Sequence, residues 1–371
     1  MKKLFKALFP IIVIALIAVA IYFNQSFVKT QFKKAQGVFC VFQGDEAFRH
    51  MDMIKAIRHY RKGLKLYPQH YSAWYNLGNI YVAYEDYYSA LYAYSQAFKY
   101  NPKMMTARMN YGVVASDKLG DFDIAIEQFD TITKTKRKII SIPTIFSNKY
   151  STKENKAIAY YNMGLAYRMK SLYSSDNWEK QRRYLSKAIQ SYQKSIKISP
   201  KRYDTWFNLG FAYHISDNYL EAGRCYCQAI KLNPYGYEAH FNLAVLLRHM
   251  RHYKESYDEI EKASILVTSL DDNPAAQQYV AIVMNDITRS LYQNEQYSKQ
   301  LEQYSKTEKS QNEELVDAKK KPLFRFKLFS KSKNKNRVKK VSSKDEDKVL
   351  LQSFGACPSI EYFTYSEDDE D

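Results

Sequence analysis

The stretch Trp74-Tyr75-Asn76-Leu77-Gly78 decides the fold, because it returns almost unchanged as Trp206-Phe207-Asn208-Leu209-Gly210. Asparagine stands in the same local setting at three further places along the 371-residue chain. Residues that recur in this way are typical of repeat proteins, in which each short unit buries its apolar side chains only against its neighbours. The sequence therefore predicts a solenoid of stacked units.

The unit around Trp74 extends over about 34 residues. Small residues, Gly78 and Ala90, stand where the two helices of the unit approach closely, and larger side chains fill the space beside them. Pro102 follows the second helix. Because proline lacks an amide donor and has a fixed backbone angle, it would end that helix. The full set of recurring residues is Trp74, Leu77, Gly78, Tyr81, Ala90, Tyr94, Ala97 and Pro102. This set resembles the tetratricopeptide repeat, and the resemblance implies an all-α fold, a right-handed superhelical solenoid of helix-turn-helix units.

Similar patterns predict further units along the chain. They lie near 71–104, 105–138, 157–202, 203–236 and 237–270, and together they form a solenoid over 71–270. A weaker unit precedes them at 37–70, and about twelve additional residues around Trp178 are expected to project from the unit at 157–202. Residues 271–315 predict a capping helix with a helical extension, because Asn273-Pro274 is a typical helix start and apolar residues then recur at helical spacing.

An uncharged run from Ala7 to Val28 follows a short basic tail at 1–6. As one helix this run would span roughly 33 Å, enough for a hydrocarbon core of about 30 Å. It predicts an uncleaved single-pass transmembrane anchor, with a signal peptide cleaved near Ala18-Val19-Ala20 as the alternative. Lysines flank the run equally on both sides. The basic start resembles an export signal and favours an extracytoplasmic location for the repeats, with the cytoplasm as the alternative.

The net charge of +17 is concentrated near the carboxyl terminus. Between Lys319 and Lys340 there are many Lys and Arg residues and no acidic ones, with Phe and Leu interleaved. Residues 316–371 predict a disordered tail that is basic and then acidic. The stretch Lys319–Lys340 is either a solvated charged segment or a contact with anionic lipid. Nucleic acid is a weaker option as a partner, because no nucleic-acid-binding module accompanies the charge.

The repeated asparagines are the best candidate binding residues. In the related superhelix of O-linked N-acetylglucosamine transferase, asparagines at this position of the first helices grip the backbone of a bound peptide, and the resemblance implies an equivalent row here. An amide group suits this task because it is both donor and acceptor. Packing within each repeat is the alternative explanation. The row consists of Asn76, Asn110, Asn162, Asn208 and Asn242, and the residues before them form an apolar row of Tyr75, Met109, Tyr161, Phe207 and Phe241.

Charged residues and possible metal ligands add little to the prediction of a peptide-binding row. Arg168 and Arg248, together with His214 and His249, are expected near the ends of first helices and facing the same groove. They do not match the Lys, Asn and Arg set of the tetratricopeptide modules that hold chaperone C-termini. His240, His249 and His252 with Cys225 and Cys227 lack the spacing of a metal site. Cys225 and Cys227 point apart on one helix, so they are not expected to bridge each other.

No phosphate-binding loop or nucleophile elbow is present in the sequence. We therefore expect a non-catalytic, membrane-anchored adaptor without a cofactor, which holds an extended peptide or a helix of a protein partner in its concave groove. One alternative is a non-catalytic subunit of an enzyme or a glycosyltransferase-like complex. Another is a structural assembly factor that binds through its convex face.

Overall fold

The structure, a computed structural model, describes residues 2–23, 25–135, 152–270 and 273–318. Over these ranges every regular element is an α-helix, as the recurring pattern predicts. The chain forms two compact units, Met1–Lys187 and Ala188–Asp371. The predicted disordered tail at 316–371 lies outside the described residues, except for its first three residues, which are helical.

The uncharged run near the amino terminus is divided between two helices. Helix α1 spans Lys2–Phe23, and helix α2 spans Gln25–Arg49. The run expected to form one helix at 7–28 thus includes residue 24, which lies outside the described residues. Among the residues that the structure describes, no helix is both long and apolar enough to cross a lipid bilayer.

In the first unit, consecutive helices pack as pairs, each pair formed by a first and a second helix. The helix after α2 is α3, and Asp52 caps it by accepting a hydrogen bond from the backbone N–H of Lys55 at 3.0 Å. The remaining helices are α3 Met53–Leu66, α4 Tyr71–Ala83, α5 Tyr87–Tyr100, α6 Met105–Asp117, α7 Phe122–Lys134 and α8 Thr152–Leu172. Thus α2, α4, α6 and α8 are the first helices of successive repeats.

The additional residues around Trp178 are part of longer helices, and Trp178 itself is 67% exposed. Helices α8 and α9, the latter spanning Trp178–Ile198, have 21 residues each, whereas α4 to α7 have 13 or 14. The start of α9 packs along α8, where the rings of Tyr167 and Tyr184 stack with centroids 6.5 Å apart. Continuing both helices satisfies backbone hydrogen bonds that a projecting loop would expose.

The second unit repeats the paired arrangement and ends in a long helix. Its helices are α10 Tyr203–Ile215, α11 Tyr219–Leu232, α12 Tyr237–His249, α13 Tyr253–Leu270 and α14 Pro274–Ala318. Asn273 caps α14 by accepting from the backbone N–H of Ala276 at 3.2 Å. Val280 and Ile287 of α14 are buried in one core cluster with residues of α12 and α13. This first part of α14 therefore covers the last helix pair.

A glycine of the first helix meets a buried aromatic ring of the second helix in several pairs. A Cβ atom added to Gly78 would lie 2.6 Å from Cε1 of Tyr94, and the ring of Tyr94 is almost fully buried. Real Cβ atoms do not approach so closely, so the helices reach this distance only because the residue is glycine. The contacts of this kind are Gly44 with Tyr60, Gly78 with Tyr94, Gly112 with Phe129 and Gly210 with Tyr226.

The cysteines on α11 do not bridge each other. Cys225 is a buried free thiol, and Cys227 is almost fully buried. Burial raises the pKa of the Cys225 thiol to about 12, so it is a neutral packing residue. Cys40 on α2 is likewise buried and free.

Gly78→Ala is expected to destabilise the first unit by about 1–3 kcal/mol, because the added methyl group overlaps the Tyr94 ring. At an exposed helix position, alanine is more favourable than glycine by about 1 kcal/mol. A loss of stability at Gly78 would therefore come from the overlap with the ring. Urea denaturation followed by circular dichroism measures it. In a Tyr94→Leu background, where the smaller side chain leaves room, the same substitution should cost clearly less. Equal costs in both backgrounds would contradict the proposed packing.

Candidate partner-binding surface on the first helices

In the first unit, the asparagine amides bridge successive first helices. Asn76 of α4 donates from Nδ2 to Asp45 Oδ1 of α2 at 3.1 Å and to the Tyr60 hydroxyl at 3.3 Å. The Tyr60 hydroxyl donates to the same carboxylate at 2.6 Å. Burial, followed by the neighbouring carboxylate, raises the pKa of Tyr60 well above its usual value. The result is a closed triad of Asp45, Tyr60 and Asn76.

A related arrangement occurs one repeat later, in which the tyrosine that accepts from the asparagine is Tyr75. Asn110 of α6 donates to Asn79 Oδ1 at 3.2 Å and to the Tyr75 hydroxyl at 3.4 Å, both on α4. The Tyr94 hydroxyl donates to Asn79 Oδ1 at 2.8 Å. Burial raises the pKa of Tyr94 to about 12, so the phenol remains protonated and keeps donating at neutral pH. Asn79 takes the place that Asp45 has in the first triad.

Sequence reasoning missed the triad partners, although a signal was present. Asp45 and Asn79, like Tyr60 and Tyr94, stand 34 residues apart, the same interval as Asn76 and Asn110. An Asx on the first helices α2 and α4 and a Tyr on the second helices α3 and α5 accompany Asn76 and Asn110, whereas the next repeat has Val113 and Phe129 at these positions. Reading the three positions together would have predicted that the amide N–H groups have partners inside the protein.

Asn162 continues the row across the longer interval in the sequence. Its Nδ2 lies 3.2 Å from the sulfur of Met109, so α6 and α8 touch directly. Helices α6 and α8 are therefore neighbours in the first unit, although Asn110 and Asn162 are far apart in the sequence. Met109 itself is buried in the core cluster of α6, α7 and α8. This residue of the predicted apolar row therefore packs inside the protein, and its side chain is not available to a partner.

In the second unit the asparagines bond to their own helices. Asn208 donates from Nδ2 to the carbonyl oxygen of Asp204 at 2.8 Å, and Asn242 donates to that of Glu238 at 2.9 Å. Both acceptors lie four residues earlier on the same helix. The amides of these two residues therefore do not link first helices through these bonds, unlike those of Asn76 and Asn110.

The aromatic members of the apolar row are half-buried. The ring of Tyr75 lies 5.9 Å from that of Tyr94, and Tyr161 of α8 is partly exposed. Phe207 stacks on Tyr203 with centroids 6.0 Å apart. Phe241 contacts Tyr279 of α14 at 5.3 Å, so α14 partly covers this end of the row. Each ring combines packing with a remaining exposed edge.

The charged candidates divide between the two units. Arg168 of α8 is half-buried in the first unit, and Arg248 of α12 is half-buried in the second. His214 and His249 come together at the ends of α10 and α12, with Nε2 and Nδ1 3.4 Å apart. Burial and the neighbouring His249 lower the pKa of His214, so the His214 ring is neutral at neutral pH.

His240, considered above as a metal ligand, is instead fully buried against Glu259 of α13. Its Nδ1 lies 2.6 Å from the carboxylate, and its Nε2 lies 3.0 Å from the carbonyl oxygen of Pro234. Lys262 donates to the other carboxylate oxygen at 2.6 Å. Within the described ranges, no group of three His, Cys, Asp or Glu side chains is arranged to hold a metal ion.

Comparison with known proteins supports the repeat assignment. Residues 191–224, from the end of α9 to the start of α11, match the family model described as a tetratricopeptide repeat. No curated protein matches the chain.

Similar folds occur among solved structures. The crystal structure of MamA is 21% identical, with a TM-score of 0.41 over 53% of this chain and 91% of that chain. TTC0263, a thermophilic TPR protein in Thermus thermophilus, is 20% identical, with a TM-score of 0.42 over 57% of this chain and 97% of that chain. PilW, a type IV pilus biogenesis factor, is 14% identical, with a TM-score of 0.48 over 66% of this chain and 98% of that chain.

Asn110→Ala is expected to lower stability by about 1 kcal/mol, because it removes the bonds that link α6 to α4. Asn242→Ala serves as the matched control. The bond that Asn242 donates, to the backbone carbonyl of Glu238 on its own helix, links no two helices, so this substitution should cost clearly less. Denaturation midpoints of the two full-length variants give the comparison. If Asn242→Ala cost as much as Asn110→Ala, the bridging role of Asn110 would be wrong.

Proposed function

We propose that this chain, a helical repeat protein of the tetratricopeptide type, is a non-catalytic adaptor that binds an extended peptide or a helix of a protein partner along its first helices. The observation that supports this proposal most is the continuous row in the first unit. Asn76, Asn110 and Asn162 are held at defined positions by neighbouring residues, while their side chains remain half-exposed. Repeat proteins of this kind bind partners on extended surfaces of stacked helices.

The hydrogen bonds within the protein define how the row would bind. They occupy both amide N–H groups of Asn76 and Asn110 and one of Asn162. Asn76 and Asn110 therefore offer a partner their amide oxygens, and Asn162 offers its oxygen and one N–H group. An extended peptide presents backbone N–H groups that can donate to such acceptors whatever its side chains are. Because each amide is already oriented, little conformational entropy is lost on binding.

The aromatic row would add contact area beside these acceptors. Tyr75 and Tyr161 are half-buried, so each ring is fixed and still has an exposed part. Rigid aromatic side chains of this kind dominate many interfaces. Met109 does not belong to this surface, because it is buried.

A photo-crosslinking experiment tests the proposed surface. The full-length chain carries a benzoylphenylalanine residue at Tyr75 or Tyr161 and is irradiated in cells. We expect one discrete partner, identified by mass spectrometry, to be trapped from both positions. The control position is Tyr88, which is 77% exposed on the second helix α5. Trapping of the same partner with equal yield from Tyr88 would argue against binding along the first helices.

The proposal also attaches the repeats to a membrane through residues 7–28, and places them outside the cytoplasm. The anchor is supported by the absence of charged residues between Ala7 and Val28, and the location outside the cytoplasm is supported by the basic start at 1–6, which resembles an export signal. The contact of the stretch Lys319–Lys340 with anionic lipid remains a prediction from its composition, and this stretch lies outside the described residues.

Alkaline carbonate extraction of cell membranes tests the anchor. The wild-type chain should stay in the membrane pellet, because removing electrostatic contacts does not release an inserted apolar segment. The double variant Ile14→Arg/Ile17→Arg should move to the supernatant. Ile54→Arg, an exposed position on α3, is the control and should behave as the wild type. A wild-type chain found in the supernatant would contradict membrane anchoring.

A further inference from the structure

A cavity of about 520 Å³ lies between α3, α4 and α5 in the first unit. On α4 it is lined by Trp74, Leu77 and Tyr81. Asn76 is about 200° around the helix from Trp74, so the cavity and the asparagine row lie on different faces of α4. Ligand-binding cavities generally have volumes of about 300–1,000 Å³. The cavity is therefore a separate site of suitable size.

Two aromatic rings form a corner of this cavity. The rings of Trp74 and Tyr92 stand perpendicular, with centroids 5.7 Å apart. Trp74 is fixed by the hydrogen bond from its indole Nε1 to the carbonyl oxygen of Pro68, at 2.7 Å. Tyr92 is 60% exposed, and Tyr100 lines the same space. An inserted ring would find both a face and an edge to pack against.

Cations line the α3 side of the cavity. Arg61 donates from Nε and Nη2 to the hydroxyl of Tyr81, at 3.0 and 2.8 Å, which holds the guanidinium in place. Lys65 lies one turn further along α3. No lining residue is acidic, and among the described residues no carboxylate lies within ion-pair distance of Arg61 or Lys65. The positive charge of this wall is not balanced locally.

The second unit contains the same niche with different side chains. Trp206 donates to the carbonyl oxygen of Pro200 at 2.8 Å, and Gln193 donates to the hydroxyl of Tyr213 at 2.8 Å. These residues stand at the positions of Trp74, Pro68, Arg61 and Tyr81. At the positions of Ser89 and Tyr92, however, Glu221 and Arg224 form an ion pair at 2.5 Å. The repeat therefore packs without the aromatic corner and without the unbalanced arginine.

We propose that the cavity is a second binding site, for an acidic peptide segment that inserts an aromatic side chain beside Trp74 and Tyr92. Its carboxylates would face Arg61 and Lys65, where charge-assisted hydrogen bonds to the guanidinium are strong. The chain itself contains a segment of this chemistry. Residues 361–371 read EYFTYSEDDED, which combines Tyr362, Phe363 and Tyr365 with six acidic residues.

A fluorescein-labelled synthetic peptide with the sequence of residues 361–371 is the probe, and fluorescence anisotropy with the full-length chain is the measurement. We expect saturable binding that is weakened about tenfold by Arg61→Gln and by Tyr92→Ala. Arg61→Gln reproduces the residue at the equivalent position of the second unit, so the bond to Tyr81 should survive. Tyr235→Ala, at an exposed position in the second unit, is the control and should not alter binding.

Two altered peptides test the chemistry of the ligand. Replacing the three aromatic residues by Ala, or the acidic residues by their amides, should each weaken binding about tenfold. A full-length variant with Tyr362, Phe363 and Tyr365 changed to Ala removes competition from the chain's own segment, and saturable binding to this variant also supports the proposal.

Failure of the peptide to bind either chain would overturn the proposal. So would binding that Arg61→Gln and Tyr92→Ala leave unchanged. The crosslinking test of the first-helix row uses other positions, so either proposal can fail without the other.

Discussion

The close contact between a glycine of the first helix and a buried aromatic ring of the second is the constraint on which the repeat depends. At Gly78 and Gly112 a side chain as small as a methyl group would overlap Tyr94 or Phe129. This contact fixes how closely the paired helices approach. The distance then determines where the remaining residues of each helix lie, including those that meet the next repeat.

The buried tyrosines have a second role, because their hydroxyl groups extend from the apolar core to the first helices. Tyr60 and Tyr94 donate to Asp45 and Asn79, and the same acceptors receive the amides of Asn76 and Asn110. Packing and hydrogen bonding are thus joined in one side chain. A polar row is positioned on the surface by residues whose rings belong to the core, and the proposed peptide site depends on this arrangement.

The two faces of α4 illustrate how a repeated scaffold acquires different sites. On one face, the asparagine row is connected to neighbouring first helices. On the other face, the bond from a Trp indole to a Pro carbonyl appears in both units, while the side chains around it differ. Residues that stabilise the packing of the helices are the same in both repeats. Residues that this packing does not require can differ, and these can bind a partner. Arg61 and Tyr92 are of the second kind.

The sequence by itself determined the helical repeat and the start of a helix at Pro274, because these depend on local spacing and on the backbone limits of Gly and Pro. It did not reveal that the residues around Trp178 extend two helices. Polar residues of this kind are found both in exposed helices and in loops, so the sequence pattern did not distinguish the two. Only the tertiary structure decided that Met109 is buried, that the amide nitrogens of Asn76 and Asn110 have partners, and that Arg61 has no acidic neighbour within the described part of the chain. The physical reason is that hydrogen-bond partners and burial come from side chains about 30 residues apart, whose meeting depends on the distance between packed helices.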